Sequence, residues 1–166
     1  MTRQLWAPWR LEYVQGAGAT DGSAEQGGCF LCRALDEPDE AALVVHRGNA
    51  ALVLLNRYPY ASGHLLVAPR RHVGAFGDLT DAEALELHRL AAAGMAALAA
   101  VFSPDGYNLG WNVGRVAGAG LPGHAHLHVV PRWNGDHNFM PVLADVKVLP
   151  EHIDLTRSKL AAAWPR

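Results

Sequence analysis

Three histidines occupy alternate positions in the run His124-Ala125-His126-Leu127-His128-Val129-Val130. In an extended strand, side chains two residues apart share a face at a repeat of about 6.6–6.8 Å. The three imidazoles would then point one way, and the apolar residues between them the other way, into a core. Rings this close repel one another if all are protonated, so some must stay neutral near pH 7. A neutral imidazole is both a nucleophile and a metal ligand, which leaves two chemistries open. Alternate histidines could chelate zinc and polarise a water, as in a metal hydrolase. Alternatively, one imidazole attacks phosphorus while its neighbours hold the charged oxygens.

The residues ahead of the histidines favour the second chemistry. Gly114, Gly118, Gly120 and Gly123 would let backbone N–H groups approach an anion closely. Gly118–Gly123 also satisfies the dinucleotide pattern GxGxxG, but that fingerprint should open a helix, and here Pro122 intervenes before a strand. A second cluster is Cys29-Phe30-Leu31-Cys32, whose CxxC spacing lets two thiolates reach one metal. Two ordinary core cysteines or a redox pair are the alternatives, although the redox reading lacks its usual βαβ context. A tetrahedral site would need about two more ligands, and histidine is the natural supply.

The elements that must carry these groups are legible from pattern. Leu43–His46 and Ala50–Leu55 read as strands around the turn Arg47-Gly48-Asn49, and His64–Ala68 as another. Thr80 with Glu83 forms a capping box. Leu87, Leu90, Gly94 or Met95, Leu98 and Phe102 then recur at helical spacing until Ser103-Pro104. Tyr107–Val113 and His124–Pro131 read as further strands, and Leu155–Trp164 as a short terminal helix. Strands with short turns and one long helix predict an α+β fold with a mainly antiparallel sheet.

Composition bounds the rest. A chain of 166 residues suits one domain with a real core, and 50% hydrophobic residues exclude disorder. The balance of 14 basic and 16 acidic side chains, net −2, argues against nucleic acid or an anionic membrane as a partner held by bulk charge. Met1–Gly16 has no uninterrupted apolar region of a signal peptide. The longest apolar run, Leu90–Phe102, is 13 residues, short of the roughly 20 that a membrane span needs. A soluble, cytoplasmic protein is expected. Residues 1–15 form an aromatic arm with Trp6 and Trp9, residues 16–28 a small, polar, flexible loop, and residues 29–166 the domain. His46, His88, His137 and His152 read as surface or cap positions, and Trp133 as a packing residue.

The motifs, taken in order, resemble those of the histidine triad (HIT) nucleotide hydrolases and transferases. His124–Val130 matches that family's signature in full. Leu54–Tyr60 followed by Gly63–Pro69 looks like its ribose-binding strand and turn, and Tyr107–Gly114 like the strand before its phosphate loop. Trp6-Ala7-Pro8-Trp9-Arg10 and Val130–Asp136 resemble the branch of diadenosine tetraphosphate phosphorylases and related hydrolases. The resemblance implies a HIT-type fold with a five-stranded sheet, one long helix and a C-terminal helix, continued across a homodimer. It implies a catalytic triad of His124, His126 and His128, with His126 the nucleophile that attacks an α-phosphorus and His128 a ligand of the phosphate oxygens. Asn56 would bind the ribose, and Asn112, Gly118, Ala119 and Gly120 would line the phosphate site. His64 would lie behind the triad and orient it. A structural zinc would be held by Cys29, Cys32, His72 and His124. The substrate implied is an adenine dinucleoside polyphosphate, with phosphate or water as acceptor. An adenosine phosphoramidate is the alternative substrate, and a non-catalytic nucleotide- or zinc-binding module the alternative of another class. Many members carry Gln or Ser just before the triad; Ala117–Gly123 here has neither.

Overall fold

A computed structural model of the chain describes residues 28–136 and 151–165. The aromatic arm, all but the last residue of the polar loop, His137 and Asp145 lie outside the described residues. The elements in chain order are a short helix α1 (Phe30–Arg33), strands β1 (Val44–Arg47), β2 (Ala51–Leu55) and β3 (Leu65–Pro69), the long helix α2 (Asp81–Phe102), strands β4 (Gly106–Trp111) and β5 (Leu127–Arg132), and helix α3 (Ile153–Ala162). The five strands form one antiparallel sheet in the order β1-β2-β3-β5-β4. This is the α+β, mainly antiparallel architecture expected.

Strands β2 and β3 are buried at every residue because both faces of the sheet are covered. Ala51, Val53, Leu55, Leu65 and Val67 face a core completed by Leu87, Leu90, Ala91, Ala97 and Leu98 of α2 and Leu160 of α3. Leu52, Leu54, Leu66 and Ala68, alternating with them, face a second cluster with Val44, Cys29, Leu31 and Ala34. A strand buried on both faces reads as a continuous apolar run rather than an alternating one. The second cluster thus seats the cysteine pair on the sheet.

Helix α2 begins at the capping box expected from sequence: Thr80 accepts from the Glu83 N–H, and the Glu83 carboxylate accepts from the Thr80 N–H at 2.9 Å. Arg71 also pairs with Glu83 at 2.8 Å, and together these hold the carboxyl down at about 2. Ser103, in the left-handed region at φ 46°, ends the helix before Pro104. The helix has 22 residues and a mean hydropathy of 1.4 over its most apolar window, so by length and composition alone it could cross a bilayer; here its apolar face lies on the sheet. Gly94 permits that approach, since a Cβ there would meet Leu65 Cδ1 at 2.9 Å. Farther along, Glu86 accepts from the Asn49 and Ala50 N–H groups at 2.6 Å each, clamping the β1–β2 turn.

One strand boundary differs with consequence. β5 begins at Leu127, so of the three histidines only His128 lies in the strand. His124, Ala125 and His126 precede it, held to the sheet margin by the Ala125 N–H bonding to Val73 O at 2.7 Å. Gly74 makes that approach possible: a Cβ there would sit 2.8 Å from Pro122 O. The three rings are therefore not bound to one face.

Candidate active site and metal cluster

The three imidazoles divide between two sites, and the hydrogen bonds state which nitrogen of each carries the proton. His124 is fully buried, and its Nε2 lies 2.8 Å from Pro69 O. A carbonyl only accepts, so the proton is on Nε2 and the Nδ1 lone pair faces the cysteines. That Nδ1 is 3.3 Å from Cys29 Sγ and 3.5 Å from Cys32 Sγ, while His72 Nδ1 is 3.2 Å from Cys32 Sγ. The four ligand atoms all lie within 4.8 Å of one another. Bonds of about 2.3 Å to sulfur and 2.0–2.1 Å to nitrogen give tetrahedron edges of roughly 3.5 Å between unlike ligands. The cluster is of that size. Burial and the adjacent Cys29 push the Cys32 thiol up to about 11, so a bound cation is what would make a thiolate of Cys32. These four residues, which the sequence scatters over nearly a hundred positions, can hold a metal ion.

His126 turns away from that cluster. Its Nδ1 donates to the carbonyl of His124 at 2.8 Å, which leaves Nε2 as the lone-pair nitrogen. The ring is nearly buried and stands edge-on to His128 with centroids 5.0 Å apart. Burial pushes its pKa below the ordinary histidine value, against the bond to His124, which raises it. At neutral pH His126 is an uncharged base with its reactive nitrogen fixed in direction.

His128 belongs to a chain of bonds that begins in the loop between β2 and β3. The Tyr60 N–H donates to His64 Nδ1 at 3.0 Å, so the proton of fully buried His64 is on Nε2. That Nε2 donates in turn to His128 Nδ1 at 2.9 Å, which places the His128 proton on Nε2. Burial, and then the neighbouring His126, push His128 down to about 4. Its Nε2 lies 3.4 Å from Asn112 Nδ2. The Asn112 amino group is fixed by donation to Gly118 O at 3.3 Å. Two N–H groups therefore lie 3.4 Å apart, close enough for one anionic oxygen to accept from both.

The glycine loop is built differently from the simple anion cradle expected. Arg115–Ala117 forms one turn of 3-10 helix, and Gly118 follows at φ +89°. The N–H groups of Gly118 and Ala119 close the turn onto Arg115 O and Gly114 O. Asn56 Oδ1 accepts from the Tyr58 N–H at 3.0 Å, and its Nδ2 lies 3.3 Å from His64 Nδ1. Asn56 thus braces the same loop that orients His64.

Several features were not readable from the sequence. The Pro69 carbonyl that sets the His124 tautomer and the Tyr60 N–H that sets His64 are backbone groups with no signature of type. Tyr60 also stacks on His64 at 4.8 Å and on His128 at 6.0 Å between ring centroids. Of the histidines expected at surface or cap positions, His152 is the N-cap of α3. His46, in contrast, stacks on Trp164 at 4.7 Å and 9°, half-buried where α3 meets β1. Trp133 packs, with its indole N–H on Phe102 O at 3.2 Å, and Asp136 pairs with Arg132.

The fold is thus an α+β one whose last strand in the chain is entered through buried histidines beside a glycine turn. Residues 37–135 match the HIT domain model, and the chain belongs to the HIT family. It is 40% identical over 167 aligned residues to a protein of Mycobacterium tuberculosis named AP-4-A phosphorylase, covering 99% of this chain and 85% of that one. It is 33% identical over 93 residues to the asymmetrical bis(5'-nucleosyl)-tetraphosphatase of Schizosaccharomyces pombe, covering 56% of this chain and 50% of that one. Among solved structures, a Zn-bound histidine triad family protein from Mycobacterium smegmatis superimposes with a TM-score of 0.66 at 25% identity, covering 84% of this chain and 94% of that one.

Proposed function

We propose that this protein is a nucleotidyl hydrolase or transferase that cleaves adenine dinucleoside polyphosphates at the α-phosphate. The observation that carries the proposal is the lone pair of His126 Nε2. It is buried, neutral and directed by the His124 carbonyl, with the neighbouring His128 Nε2 and Asn112 Nδ2 3.4 Å apart. His126 Nε2 attacks the α-phosphorus and expels the remaining polyphosphate, forming a nucleotidyl-histidine. His128 Nε2–H and the Asn112 amino group stabilise the phosphate oxygens, on which charge builds in the transition state. An acceptor oxygen then displaces the imidazole. Each displacement is easier than one direct attack, because imidazole is both a good nucleophile and a good leaving group. Asn56 and the Gly118–Gly120 turn border the substrate's path. The similarity to the mycobacterial AP-4-A phosphorylase supports this substrate class over an adenosine phosphoramidate.

In the same reading, zinc is held by Cys29, Cys32, His72 and His124. The S2N2 donor set is soft and closed, and it suits that ion. With four protein ligands it has no open position for water, so its contribution is to fix the segment that carries His126. The protein forms a homodimer through β4, which is the outer strand of the sheet with Leu109 half exposed.

The acceptor is separated by one incubation. Diadenosine tetraphosphate is supplied with and without inorganic phosphate, and the products are resolved by chromatography. ADP plus ATP formed only with phosphate identifies a phosphorylase; AMP plus ATP without phosphate identifies a hydrolase; two ADP, which require attack at a β-phosphorus, contradict cleavage at the α-phosphate. No turnover of any dinucleotide contradicts the proposal and leaves a binding module.

A further inference from the structure

We infer that Tyr60 is a positioning residue of this site, its ring shielding the hydrogen bond by which His64 fixes the direction in which His128 presents its proton. The inference rests on the reading of His128 as the ligand of the phosphate oxygens, and it adds the residue that keeps His128 in the required tautomer. His128 binds an anion only if its proton is on Nε2, and nothing in the ring itself selects that nitrogen. Selection is made two bonds away. The Tyr60 N–H occupies His64 Nδ1, His64 must then donate from Nε2, and His128 Nδ1 must accept. Reversing either imidazole would set two N–H groups against each other.

The ring of Tyr60 protects the same chain. It lies over His64 at 4.8 Å and 29°, and over His128 at 6.0 Å and 21°, so it spans the bond between them. His64 is fully buried and Tyr60 is 56% exposed; the tyrosine is the layer between that bond and solvent. Water admitted there would compete for His128 Nδ1. Among the described residues, the groups facing His128 are His64, His126, Asn112 and Tyr60, none of them a carboxylate.

The loop is built to hold Tyr60 in place. The Asn56 N–H bonds to His64 O at 2.9 Å and the His64 N–H to Ala61 O at 3.1 Å, closing residues 56–64 on themselves. Gly63, at φ +78°, lies so close to α2 that a Cβ would meet Leu98 Cδ2 at 2.7 Å.

The test compares Tyr60→Phe and Tyr60→Leu with wild type, all loaded with the same metal. Imidazole 15N spectra at neutral pH report which nitrogen is protonated. Wild type and Tyr60→Phe are expected to show His64 and His128 protonated on Nε2 alone. Tyr60→Leu is expected to show His128 exchanging between tautomers, and a kcat on diadenosine tetraphosphate lowered by roughly tenfold with KM little changed. Tyr60→Phe is expected to restore kcat to within about twofold. A Tyr60→Leu protein with the wild-type His128 spectrum overturns the inference whatever its activity, as does a wild-type His128 protonated on Nδ1. Failure of the proposed function is separate: wild type would then turn over no dinucleotide, while the spectra would still report the tautomer.

Discussion

An imidazole offers two nitrogens, and the protein's choice between them decides what each histidine can do. His124 gives its proton to Pro69 O and its lone pair to the cysteines; His126 gives its proton to the His124 carbonyl and keeps Nε2 for attack. In the proposed reading, identical side chains two residues apart thereby take the roles of metal ligand and nucleophile. Burial lowers the pKa of both His126 and His128, the latter to about 4. The reactive form is the neutral one, so a lowered pKa extends activity toward acid. The acid limb of a kcat/KM profile for diadenosine tetraphosphate is expected below the ordinary histidine value of about 6.5, with little loss between pH 7 and pH 6. An acid limb at or above that value would mean that a solvated histidine controls the rate. The alternate histidines were legible in the sequence as a chemical signal, and so were the residues of the four-ligand cluster once the family resemblance was drawn. Their division was not, because the partners that divide them are backbone carbonyls and an amide whose position depends on the fold.

At the scale of elements, the sheet and the long helix were the easiest to read, since they rest on local rules. The capping box at Thr80 and the apolar spacing of α2 are properties of neighbouring residues, and the continuous burial of β2 and β3 follows from their runs of Leu, Val and Ala. At the entry into β5 the alternation of His124 to His128 imitates a strand, while pairing begins at Leu127. What holds the preceding residues is long-range: Val73 on one side and the cysteine pair on the other. A metal held by Cys29, Cys32, His72 and His124 would thus staple α1, the segment after β3 and the approach to β5. The protein is expected to contain about one zinc per chain by elemental analysis, retained in His126→Ala and lost in both Cys29→Ser and His72→Ala, with a fall of several degrees in Tm. A metal-free protein of equal activity and stability would remove the cluster from the account.

At the scale of the whole molecule, a net charge of −2 provides no positive field to draw in a polyphosphate. In the proposed reaction the phosphates would be held by groups at the site, which places the burden on His128 and Asn112. The sheet ends on one side in β4, where Leu109 is exposed, with exposed Val113 just beyond the strand. A second copy pairing along that edge would bury them. Light scattering is expected to give about twice the chain mass of 17.8 kDa, and Leu109→Lys to shift it toward the single-chain value. A wild-type monomer at micromolar concentration would contradict the dimer.

The central claim is that His126 forms a covalent bond to the substrate's α-phosphorus. Mixing enzyme with diadenosine tetraphosphate, quenching in alkali to preserve the acid-labile P–N bond, and mapping peptides by mass spectrometry tests it directly. An adenylyl group on His126 is expected, absent from His126→Ala together with turnover. Turnover retained in His126→Ala, or an adduct on another residue, would contradict the account.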